Sequence, residues 1–117
     1  MSLESDLFTV LKTVCPQVFP DVAPNGTVPP YITYSQVGGD APTFLGREVP
    51  SKENALISVE YWSTTRLDSK TKIKAVESAI TLATTFQGKP DGAARSVYTD
   101  DVDLRGMQQD FNIWATR

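Results

Sequence analysis

The chain has 117 residues, which is the size of one domain, here taken as residues 1–117, long enough to bury a core without disulfides or metals. Its net charge of −3 and isoelectric point near 4.8 argue against a nucleic-acid binder, which carries a basic face. A single cysteine, Cys15, excludes an internal disulfide framework, and no apolar run approaches the roughly 18 residues of a membrane span.

Leu3, Leu7, Phe8, Val10, Leu11 and Val14 fall on one side of a helix, while Glu4, Ser5, Asp6, Thr9, Lys12 and Thr13 take the other. The acidic, amphipathic start does not have the pattern of a signal peptide, so synthesis in the cytoplasm is expected. Pro16 ends the helix, because the residue before a proline is pushed out of the α region. Residues 16–30 hold five prolines and an Asn25-Gly26 pair and read as a connector. Tyr31–Val37 alternates as a strand. Residues 55–62 form a second, with Ile57, Val59 and Tyr61 on one face and Leu56, Ser58, Glu60 and Trp62 on the other.

Asp68 offers an N-cap for a second helix, whose apolar positions Ile73, Ala75, Val76, Ala79, Ile80, Leu82, Ala83 and Phe86 recur at helical spacing. Gly88 suits the position just past its end, and Pro90 blocks continuation. Two last strands, about 94–104 and 108–115, flank an Arg105-Gly106 turn. The expected fold is α+β in the order α-β-β-α-β-β: four mostly antiparallel strands packed by two helices.

Chemistry is sparse. There is no histidine, which removes Ser-His, Cys-His and most zinc sites and leaves Cys15 without an activating base. The Gly38-Gly39 pair lacks the spacing and lysine of a phosphate loop. Asp100, Asp101 and Asp103 form an acidic group that is best read as a solvated strand end; a calcium site would need more oxygens than they supply. Arg66, Lys70 and Lys74 recur every four residues as a basic stripe on the second helix, with Lys72 off it; a solvated helix face explains them most simply, a phosphate or partner contact being the alternative. No catalytic, cofactor or metal residue is assigned.

One feature asks for more. Residues 38–54 separate two strands that a hairpin of about two to five residues would join. They carry Phe44 and Leu45 among Arg47, Glu48, Lys52 and Glu53. Either the loop folds back on its own domain, or it is a protruding arm whose apolar pair anchors a partner and whose charges form the rim.

The strings VFPDVAP, PPYITYSQV, ISVEYWS, YTDDVDL and QQDFNIWAT, taken in this order with a helix before the first and after the third, give a resemblance. The chain resembles the tail-completion, or head-to-tail joining, proteins of long-tailed bacteriophages, which are related in fold to tail terminators. The resemblance covers most of the chain and carries no catalytic motif. It implies a ring of identical copies, typically hexameric, at the head-proximal end of the tail tube. Such a ring stops tube growth and meets the head connector, and DNA passes through its lumen without specific binding. It also implies a place in the virion after synthesis in a bacterial host, with no membrane and no cofactor. A small ligand-binding or regulatory domain acting as a dimer is the competing expectation, and an enzyme comes third.

Overall fold

The computed structural model describes residues 3–39, 52–97 and 104–116. The chain forms two helices and a six-stranded mixed sheet. Helix α1 (Leu3–Lys12) begins with Glu4 and Asp6 at its positive end and closes on Lys12. It is followed by β1 (Val18–Pro20), β2 (Tyr31–Gly38) and β3 (Lys52–Ser63). Helix α2 (Arg66–Leu82) precedes β4 (Gln87–Pro90), β5 (Arg95–Val97) and β6 (Arg105–Thr116).

The expected four-stranded sheet is thus corrected to six strands, ordered β1-β2-β3-β6-β4, with β5 also on β6. β1 pairs with β2 in parallel and every other pairing is antiparallel. The proline-rich connector hides β1. Gln17 accepts from the Ile32 amide through its carbonyl, and its side-chain amide donates to the carbonyls of Val28 and Pro30. These bonds lay Val18–Pro20 beside Ile32–Tyr34. The backbone of the sheet is the β3–β6 pair, in continuous register from Lys52↔Thr116 to Ser63↔Arg105.

The N-cap of α2 is Thr65, whose hydroxyl accepts from the Asp68 amide at 3.2 Å; Asp68 is a first-turn residue instead of the cap. The helix ends at Leu82, before the expected Phe86, and Gly88 and Pro90 belong to β4. Pro90 sits in a sheet-edge strand, where its missing N–H costs no ladder bond. Arg105 and Gly106 begin β6; they are not a turn.

Leu7 and Leu11 of α1 and Ile73, Val76 and Ile80 of α2 pack into one cluster with Ile32, Val59, Tyr61, Phe111 and Ile113 of the sheet. Both helices therefore cover the same sheet face. Cys15 is buried in that cluster, in keeping with a packing role. The period-2 face of β3 and the α1 stripe are as the sequence implies: Ile57, Val59, Tyr61, Leu3, Leu7 and Leu11 are all buried.

Candidate interaction surface

β2 and β3 hold the long connection between them at one end of the sheet. β2 runs to Gly38 with an irregularity in register after Gln36, and β3 starts at Lys52. The interval between the strands is therefore shorter than 38–54. Gly39, the last described residue before the connection, has a φ of +144°, which glycine adopts and other residues resist. An added Cβ at Gly39 would stand 2.6 Å from the Asn54 carbonyl oxygen. Lys52 and Glu53 are ladder residues opposite Thr116 and Ala115, a pairing that their polar character hides in the sequence. Phe44, Leu45, Arg47 and Glu48 lie outside the described residues, as do Asp100, Asp101 and Asp103.

Beside the root of this connection a cleft of about 370 Å³ opens between the first turns of α1, the end of β1 and the ends of β2 and β3. Glu4, Asp21 and Glu53 stand on its walls, with Tyr34, Gln36 and Asn54. Asp21 takes a left-handed φ of 63°, which aspartate tolerates, and its amide donates to the Tyr34 carbonyl at 2.7 Å. The Tyr34 hydroxyl makes a long bond of 3.5 Å to Glu4. Burial raises the Tyr34 pKa, and the negative charges of Glu4 and Asp21 push it further the same way. The cleft is thus an electronegative site. β1 pairs only with Ile32, Thr33 and Tyr34. Beyond Tyr34, no described strand flanks β2 on its β1 side. Val22, next to Asp21, is 76% exposed.

The basic stripe appears as the sequence spacing implies. Arg66, Lys70 and Lys74 are exposed on α2, Lys72 is partly covered, and Leu67 is 76% exposed beside them. Among the described residues the one ion pair joins Arg95 to Asp110 at 3.6 Å, so no described side chain forms an ion pair with the cleft acids or the stripe. Sequence reading found the stripe but missed the cleft. Glu4, Asp21 and Glu53 are far apart in sequence, and only the parallel β1 brings Asp21 to the others.

The sheet face away from the helices carries polar side chains in register. Asn54 donates to Asn112 and to the Ile113 carbonyl, Gln108 donates to Ser58, and the Trp62 indole donates to Thr33 at 3.3 Å. Burial raises the Glu60 pKa there, against a smaller opposing pull from Arg95. Among the described residues no three His, Cys, Asp or Glu side chains converge as metal ligands, and no helix is long and apolar enough to cross a membrane.

A chain titled "Virion of native gene transfer agent (GTA) particle" superposes with a TM-score of 0.64 at 15% identity, over 99% of this chain and 96% of that one. The likeness is one of fold. No curated protein matches the sequence. The family model described as "Tail completion protein gp17" matches residues 5–116, from the first turn of α1 to the end of β6. That span takes in every strand and both helices apart from the first residues of α1, and on it the chain belongs to the tail completion protein gp17 family.

Proposed function

We propose that the protein is a structural component of a bacteriophage-like virion that assembles as a ring, with six copies as the expected number, on the head-proximal end of the tail tube. There it ends tube growth and joins tail to head, with the tail tube protein on one side and a head-connector protein on the other. DNA passes through the lumen without specific contact. The family match over residues 5–116 carries this reading. The fold shared with a chain from a gene transfer agent virion supports it.

The net negative charge of the chain suits a channel that does not retain phosphates. In this reading the connection between β2 and β3 is the arm that reaches a neighbouring subunit or the tube. Phe44 and Leu45 are its apolar anchors; Arg47 and Glu48 on it, with Lys52 and Glu53 at its root in β3, set the register around them. Ordering such a segment costs conformational entropy, which burial of two large side chains on a partner offsets by about 3–6 kcal/mol.

Light scattering of the purified protein, alone and in the presence of tail tubes, tests the oligomer. A mass near six chains, free or on tubes, is expected. A stable dimer in both conditions would favour a regulatory domain and refute the ring.

A further inference from the structure

We propose that the acidic cleft between α1, β1 and the ends of β2 and β3 receives the basic face of α2 from a second copy of this chain, so that subunits dock head to tail through these two surfaces. The inference rests on the ring reading and adds the faces that meet.

Three observations point to a second copy as the occupant. The first is charge: Glu4, Asp21 and Glu53 border the cleft, and Arg66, Lys70 and Lys74 line the exposed side of α2. Neither set is neutralised by another described side chain. The second is apolar matching. Val22 is exposed and follows the cleft residue Asp21 in the chain, and Leu67 is exposed next to Arg66 of the stripe, each a large apolar side chain near charges of one sign. Such a pair, covered together, gives a contact an apolar centre with a charged rim.

The third is distance. α2 begins just after β3 ends at Ser63, whereas Glu53 lies at the start of β3. Ten residues of strand separate them, roughly 30 Å at about 3.3 Å per residue. One copy cannot bring Arg66 to its own cleft. Two unlike surfaces placed apart on one subunit are what a heterologous contact requires, and such contacts close into a ring when the rotation between copies permits. The cleft volume of about 370 Å³ has room for a lysine side chain, whose methylene stem lies along apolar walls while its ammonium reaches the carboxylates.

The test uses paired charge reversal in the full chain. Lys70→Glu with Lys74→Glu reverses the helix face, and Glu4→Lys with Glu53→Lys reverses the cleft. All four side chains are exposed or half-buried, and thermal melting of each variant checks that it folds. Each variant alone should self-associate roughly tenfold or more weakly than wild type by sedimentation. An equimolar mixture of the two variants should recover association to within about threefold, because each then offers the face that the other has lost.

Wild-type association with unchanged association of both variants would overturn the docking mode and leave the ring standing. Loss in the single variants without recovery in the mixture would also overturn it. Absence of wild-type association, in solution and on tail tubes, would overturn both the ring and this contact.

Discussion

Val59 and Ile80 face each other's layers across the core, one from β3 and one from α2, and neither has measurable exposure. A carboxylate at either point would have neither water nor a partner cation. Val59→Asp and Ile80→Asp should each destabilise the fold by about 3 kcal/mol or more. Chemical denaturation checks this; near-wild-type midpoints for both variants would contradict the assigned core face. Tyr61 offers a second test at the same scale. Burial, and then the nearby negative charge of Asp68, push its pKa up to about 12 from the ordinary 10.0. The native state therefore holds the phenolic proton through a range in which the unfolded chain has released it. Stability conferred by neutral Tyr61 is complete below pH 10 and is lost as pH rises from 10 towards about 12. Tyr34 shifts in the same direction. Melting temperature should fall across that window, and Tyr61→Phe should make the fall shallower. An equally steep fall in Tyr61→Phe would assign the alkaline loss to other groups.

Helix α2 is fastened to the sheet by hydroxyls at its first turn. Ser69, fully buried, bonds the Ser63 hydroxyl and donates to the Arg105 carbonyl, both at 2.7 Å, so one side chain ties α2 to β3 and β6. The two hydroxyls have two protons for three contacts, with the Arg105 carbonyl, the Thr65 carbonyl and each other, so they share them as one small network in which either serine can donate to the other. Ser69→Ala should cost about 1–3 kcal/mol by leaving buried polar groups without partners, and Thr65→Ala about 1 kcal/mol through the lost cap. Thermal melting of the two variants should rank them in that order; the reverse order would deny Ser69 its fastening role.

Long elements with a periodic pattern were legible in the sequence: α1, most of α2, β2 as an alternating strand, and β3 with its core face. The short strands were not. β1 and β5 have three residues each, too few to show a period, and β1 is placed by bonds from Gln17. Phe86 extended the helical pattern because it is buried, yet it is buried beyond the helix end, as the chain enters β4. Gly106 resembled a turn residue, but its lack of a side chain serves a close approach: a Cβ there would stand 2.6 Å from the Trp62 ring. The basic stripe was visible from its four-residue spacing. The cleft was not, since it exists only once the sheet is assembled.

At the scale of the whole molecule, the described residues leave two features that the core does not use: an acidic cleft at the root of the β2–β3 connection, and a basic face of α2 that starts beyond the far end of β3. A subunit that meets copies of itself has a use for both. The central claim is ring assembly on a tail, and electron microscopy of tail tubes incubated with the purified protein tests it most directly. Wild-type protein should appear as a ring at one end of each tube and prevent further growth. The double variant Phe44→Ser with Leu45→Ser should melt close to wild type and leave the tubes uncapped. Bare tube ends with wild-type protein, or rings formed equally well by the double variant, would contradict the ring in the first case and the arm in the second.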